Sequence, residues 1–256
     1  VSRGILNCLR TMKPGMTEVE AGMQCQFTGS PGNMHPNINF GEKNVALGLN
    51  SPTEWTHLEY GSPAGVGYGL RGSLVHKCGM YIRDKADLPE DRAGYVDEFA
   101  VPYFENVVSW YEMMKIGTSC GDIYDMVDRE LGLEAWGCTL NPGHLTHTDE
   151  WTNSPIYRGS NIPVRSGMAF QCDYTVTKKE PFMSAHMEDG LVIADGELRD
   201  AVAQLSPSCW ERILNRREFI RGELGIKLPE EVLPLSDLSC VFFPYMADTS
   251  IVLACE

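Results

Sequence analysis

Apolar residues at spacings of three and four predict one long amphipathic helix over residues 91–115, with Val96, Phe99, Tyr103, Val107, Trp110 and Met114 on its buried face. Pro102 is expected to kink it, because a proline ring removes one amide donor and crowds the preceding turn. From Asn161 to Ala194 the period shortens, and the runs Met168–Cys172 and Gly190–Ile193 read as strands of a central antiparallel sheet. Near the start, Lys13-Pro14-Gly15-Met16-Thr17-Glu18-Val19-Glu20 carries a capping box, in which Thr17 accepts from first-turn amides and Glu20 reaches back, so a helix begins there. About a hundred residues later Lys115-Ile116-Gly117-Thr118-Ser119-Cys120-Gly121-Asp122 repeats the Lys, Gly, hydroxyl and acid order, which suggests two related halves. Ser206-Pro207 opens another helix through Trp210, Ile213, Leu214 and Phe219, ending near Gly222 or Gly225. The tail around Val241-Phe242-Phe243 is too apolar for a free linker and is expected to pack on the domain or on a partner subunit.

Composition narrows the class. No Pro/Gly/Ser-rich stretch divides the 256 residues, so a single domain over 1–256 is expected, with 206–256 forming its C-terminal helix and tail. Val1 falls inside a helical pattern, and the chain reads as the C-terminal part of a longer one. A net charge of -14, from 21 basic against 35 acidic residues, repels a phosphate backbone and excludes nucleic acid as a partner. No apolar span is long enough for a membrane helix, so no membrane partner is expected. Nine cysteines, odd in number and without a C-x-x-C pair, read as reduced thiols, which points to the cytoplasm.

Candidate chemistry gathers in three segments: Gly143-His144, then Gly167-Met168-Ala169-Phe170-Gln171-Cys172-Asp173, then His186-Met187-Glu188-Asp189-Gly190. In order and spacing they resemble the pita-bread family of methionine aminopeptidase, aminopeptidase P, prolidase and creatinase. The resemblance implies an α+β fold of two pseudo-symmetric halves, with a central curved antiparallel sheet covered by helices, and a homodimer. In the family's peptidases two metal ions are held by two Asp, one His and two Glu. This chain keeps His144 and Glu188 and has Asp173 where a Glu is expected. Gly67 and Ser73 fall where the two upstream Asp are expected, on either side of a short loop, and no Asp or Glu occurs between Tyr60 and Ile82. Trp55 stands where a substrate-side His is expected. No full dimetal site and no cofactor follow from this set; the alternative is a single divalent ion on His144, Asp173 and Glu188.

The residues themselves leave alternatives open. Alternation turns Gln171 and Asp173 to one face of their strand, where Asp173 is either a site group or half of a structural ion pair, because a buried acid needs a partner. His147, Asp149 and Glu150 either serve the site or cap their loop. The site reading assigns catalysis to His144, Asp173 and Glu188, and substrate binding to Arg71, His76, His147, Asp149 and Glu150. Creatinase works without metal, and acidic residues there hold a guanidinium-bearing substrate. By that resemblance the first expectation is a hydrolase of a small C–N substrate, cationic or zwitterionic, with His144 as general acid or base. The second is an inactive module of this fold that binds a small ligand or partner. A third is an Xaa-Pro aminopeptidase or prolidase with a reduced metal site, acting on short peptides.

Overall fold

The computed structural model describes residues 1–46 and 48–256. Its elements run α1 (Ser2–Thr11), α2 (Glu18–Met23), β1 (Asn37–Phe40), α3 (Gly41–Val45), β2 (Pro63–Leu70), β3 (Ser73–Met80), α4 (Val101–Met113), α5 (Cys120–Leu131), β4 (His144–Leu145), β5 (Ala169–Gln171), β6 (Val176–Lys179), β7 (Phe182–Ile193), α6 (Gly196–Leu205), α7 (Pro207–Gly222) and β8 (Val232–Pro234). Among the described residues the strands form one open antiparallel sheet ordered β1-β2-β3-β7-β5-β4, and β6 and β8 also pair with the long strand β7.

The long helical pattern holds. Val96 is 6% exposed and Phe99, Tyr103, Val107, Trp110 and Met114 are fully buried, each contributing on the order of 1.5–3 kcal/mol. The expected kink takes another form. A π-helical turn, Tyr95–Ala100, leads into α4, and Pro102 falls in the first α turn, where an amide is most easily forgone. Trp110 can be buried because its Nε1–H donates to the Pro142 carbonyl at 2.8 Å.

The capping box at Thr17 forms as read, with Glu20 N donating to Thr17 Oγ1 and Thr17 N to the Glu20 carboxylate. Its counterpart caps α5 through Ser119, and the likeness extends into the surroundings. Gly15 (φ 87°) exchanges backbone hydrogen bonds with Leu58 in concert with Met16, and Gly117 (φ 91°) does so with Val164 in concert with Thr118. Both turns need the left-handed backbone that glycine adopts without strain.

One stretch departs from the sequence reading. Residues 63–70, which carry no strand pattern in the sequence, form strand β2, paired with β3 along its whole length. Gly65, Gly67 and Gly69 erase the alternation that would have marked it. In that pairing Ser73 lies beside the hairpin turn, opposite Leu70, while Gly67 faces His76 and His76 faces Glu188. Ser73 therefore lies away from Glu188, and the β3 residue directly across from Glu188 is His76. The tail packs on the domain, with Val241, Phe242 and Phe243 buried in the main core. Among the described residues no helix is long and apolar enough to cross a membrane.

Candidate functional site

Successive residues of β7 point to opposite faces of the sheet. Ser184, His186, Glu188 and Gly190 share one face, on which His76 of β3 lies directly across from Glu188 and Cys78 across from His186. On the next strand out, Gly67 and Gly65 stand opposite His76 and Cys78. They lack side chains where the His76 ring lies: a Cβ on Gly65 would meet His76 Nε2 at 3.0 Å, and one on Gly67 the ring carbons at 3.2 Å.

His144 comes from the other side, on β4. Gly143 fixes its approach, since its φ of 108° and its closeness to Trp110 and the Gln171 carbonyl exclude a side chain, and its amide donates to the Asp173 carbonyl at 2.9 Å. Gly190 likewise leaves room for Gln171, whose Nε2 donates to the Leu74 carbonyl at 3.1 Å and to Glu188 Oε1 at 3.3 Å.

The tautomers follow from the partners. His144 Nδ1 lies 3.0 Å from the Leu145 carbonyl, which can only accept, so Nδ1 carries a proton. His144 Nε2 lies 3.0 Å from Glu150 Oε1, 3.4 Å from Asp173 Oδ2 and 3.9 Å from Glu188 Oε1. These are ion-pair distances without hydrogen-bond alignment. Burial opposes charge on this ring, but the Asp173, Glu150 and Glu188 carboxylates outweigh it and its pKa is pushed up to about 12. The resulting imidazolium stacks on Trp151, with ring centroids 4.2 Å apart.

Asp173 Oδ1 accepts from His186 Nε2 at 2.8 Å, and His186 Nδ1 meets His76 Nδ1 at 2.9 Å. With the His186 proton on Nε2, its Nδ1 accepts, His76 Nδ1 donates, and His76 Nε2 is left as a bare lone pair with no partner. Burial raises the Asp173 pKa, but the His144 cation beside it and the hydrogen bond from His186 hold it below the ordinary range. Glu188 is pushed up to about 7, first by burial and then by the Asp173 charge. His76 is held well below the usual imidazole range by burial and by His186.

His76, Glu150, Asp173, His186 and Glu188 line a cavity of about 340 Å³ whose other walls include Met34, Leu49, Leu74, Leu140 and Trp151, and His144 lies buried behind Glu150 and Asp173. The fold thus brings together His76, His144, Glu150, Asp173 and Glu188. Arg71, His147 and Asp149 are exposed and outside the cavity lining: the β2–β3 turn packs against the 147–149 loop, where Gly72 N donates to the Thr148 carbonyl. Sequence reasoning gave no role to His186, Asn37 or Trp151. For His186 a signal existed, since it precedes Glu188 by two residues on a strand. Asn37, whose buried Oδ1 lacks a partner, owes its place to β1 pairing with Gly67.

No family model matches the chain, and no curated protein matches it. Solved structures do. The Xaa-Pro dipeptidase from Bacillus anthracis superposes with a TM-score of 0.61 at 13% identity, over 76% of this chain and 54% of that one. The prolidase from Pyrococcus horikoshii OT3 gives 0.63 at 12%, over 75% and 56%. Aminopeptidase PepP from Pseudomonas aeruginosa gives 0.61 at 13%, over 75% and 50%. The chain spans about half the length of these proteins. At such identity the likeness shows the fold, which is the pita-bread arrangement. The carboxylate-rich pair of ions implied by the resemblance does not fit here: β2 and β3 carry no carboxylate, and the positions on the site's face include Gly65, Gly67, His76 and Cys78.

Proposed function

We propose that the chain hydrolyses a C–N bond of amide, amidine or peptide-like type in a small, positively charged substrate, without the full pair of ions. Glu188 carries this reading: it is buried, lines the cavity, and has a pKa of about 7, suited to exchanging protons near neutrality. In its ionised form Glu188 takes a proton from water as the oxygen adds to the substrate carbon. It returns that proton to the nitrogen as the C–N bond breaks. Gln171 steadies the carboxylate through its 3.3 Å hydrogen bond. His144 is not the base, because acceptors face both of its nitrogens and hold it as a cation; it offsets part of the acidic charge. Three carboxylates, on Glu150, Asp173 and Glu188, surround this one imidazolium, so the site favours a cationic group. The apolar wall excludes water from the rest of the substrate.

A screen of small amides, amidines and Xaa-Pro dipeptides tests the proposal. Glu188→Gln is expected to lower kcat by about 10²–10⁴-fold in a folded protein. A substrate turned over equally well by that variant would remove Glu188 from the chemistry. The second reading, a binding module, draws on the lack of carboxylates on β2 and β3. It predicts calorimetric binding of cationic ligands with no turnover in wild type or variant.

A further inference from the structure

The site divides into two unlike groups. Around His144 the donors are mostly carboxylate oxygens, from Glu150, Asp173 and Glu188, whereas between β3 and β7 two imidazoles and one carboxylate, His76, His186 and Glu188, come together. We propose that His76, His186 and Glu188 form a mononuclear site for a zinc-class divalent ion, one that prefers nitrogen donors and exchanges among Zn²⁺, Co²⁺ and Fe²⁺, in contrast to Mg²⁺, Ca²⁺ or Mn²⁺.

One donor atom of each residue lies within 4.8 Å of the other two, and all three side chains are buried. His186 is already oriented as a ligand. Its Nε2–H donates to Asp173 at 2.8 Å, the carboxylate–imidazole arrangement that fixes metal-binding histidines, and this turns the unprotonated Nδ1 away from Asp173. That Nδ1 stands 2.9 Å from His76 Nδ1. Two nitrogens bound to one Zn²⁺, each about 2.0–2.1 Å from it, stand roughly 3 Å apart, close to the separation of these two. One proton now lies between the two nitrogens. An ion entering there breaks the Nδ1–H···Nδ1 bond, and the His76 proton passes from Nδ1 to Nε2. Both rings then bind as neutral ligands, and a proton leaves only if it was carried by Glu188.

The glycines support the same assignment, because Gly65 and Gly67 leave the His76 ring the space it occupies beside β7. The set also leaves a coordination position facing the cavity, which all three residues line. Two imidazoles to one carboxylate is the ratio that selects borderline ions over hard ones. The site stands whatever substrate the cavity takes.

The test titrates the full chain, after chelator treatment, with Co²⁺, whose visible absorption reports its ligand field. Wild type is expected to bind one equivalent, displaced by Zn²⁺ and not by Mg²⁺ or Mn²⁺. His76→Ala and His186→Ala are each expected to weaken binding at least about 100-fold, and His144→Ala to retain it. His76→Asn and His186→Gln repeat the measurement in side chains of similar size, with circular dichroism to establish folding. Three outcomes overturn the site: no Co²⁺ bound by wild type, binding that survives loss of either imidazole, or binding lost in His144→Ala and kept in His76→Ala. The last would place the ion on His144, Glu150, Asp173 and Glu188. Because binding is read without substrate, its failure leaves the hydrolase with Glu188 as base standing. An ion held by Glu188 takes that carboxylate out of proton transfer, so turnover is measured in chelator-treated protein, and failure of the hydrolase there leaves the ion site standing.

Discussion

His76 and Lys77 are consecutive on β3, and Glu188 and Asp189 are consecutive on β7, yet the two pairs face opposite sides of one sheet and behave differently. On the core side Lys77 Nζ donates to the Asp189 carboxylate and, at 3.1 Å, to the Leu238 carbonyl. The ammonium is thereby tied to the strand beside it and to the C-terminal tail. On the cavity side His76 Nε2 has no partner, and His144 Nε2 sits among carboxylates without an aligned hydrogen bond. Both sides bury charge-bearing groups at similar cost. On the core side one Asp189 oxygen is joined to Lys77 and locks strands together, while Oδ1 has no partner; on the cavity side unmatched atoms on two imidazoles sit at or beside a cavity, and there the protein has kept capacity for something else.

The largest effect is expected from breaking the core side. Lys77→Met leaves Asp189 buried without its cation and is expected to cost about 3–5 kcal/mol in urea unfolding. The double variant Lys77→Met/Asp189→Leu should recover most of that loss, because the cost lies in the stranded charge. A loss under about 1 kcal/mol in the single variant would mean that the two faces do not differ as described.

Next comes the cavity side, through its pH dependence in chelator-treated protein. The folded pKa of Glu188, about 7, lies above its ordinary 4.5, so the folded chain holds this proton more tightly than the unfolded chain. Its contribution is full below pH 4.5 and is lost as pH rises through about 7, on the order of 1 kcal/mol per pH unit between them. Asp189 acts in the same direction from 3.8 to about 6, and His144 from 6.5 to about 12. Thermal unfolding of wild type and Glu188→Gln across pH 4.5–7.5 isolates the Glu188 part: the variant should show a shallower decline. Parallel curves would mean that Glu188 does not carry the raised pKa.

A smaller effect tests whether the glycines of β2 serve the cavity side. Ala at position 67 would bring its Cβ to 3.2 Å from the His76 ring and 3.1 Å from Asn37 Cβ. Gly67→Ala is therefore expected to cost about 1–3 kcal/mol and to displace the imidazole, with Co²⁺ affinity falling in the same variant. An unchanged unfolding midpoint together with unchanged Co²⁺ binding would show that this space is not needed.

What the sequence revealed follows the same division. The helix face from Val96 to Met114, the cap at Thr17 and its counterpart at Ser119 were legible because each depends on local spacing. Gly143-His144 was legible as a motif, and its cause is steric, since Trp110 and the Gln171 carbonyl leave no room for a side chain. The β2–β3 hairpin was not legible, because glycines at 65, 67 and 69 remove the alternating pattern. With the hairpin went the register, and so the sequence set Ser73 beside the ligand positions and did not show that His76 stands across from Glu188. His186 was hidden for another reason: its partners, His76 and Asp173, are 110 and 13 residues away in sequence, a pairing only the sheet reveals. Arg71, His147 and Asp149 were sensible choices by residue type, but they lie outside the cavity lining, to which their loop contributes Glu150 and Trp151.

The smallest effect sharpens the comparison by adding a third setting along the same strand. Just past the end of β3, Arg83 makes a two-pronged contact with Asp87 at 2.6 and 2.9 Å, and the Arg83 amide adds a third hydrogen bond at 2.8 Å. The geometry is better than that of any pair in the cavity, yet Arg83 is 58% exposed where Lys77 is 3% exposed. Side-chain hydrogen bonds from Arg83 hold the Asp87 pKa down to about 2, so its contribution is present above the ordinary 3.8 and is lost as pH falls through about 2. Water screens the charge of the exposed Arg83 guanidinium, though Asp87 is 11% exposed, and most of that attraction is not realised as stability. Asp87→Asn is thus expected to lower the urea midpoint slightly at pH 7 and not at all near pH 2. Should it cost as much as Lys77→Met, geometry rather than burial would be setting the worth of an ion pair here, and the contrast between the two faces of β3 would need another cause.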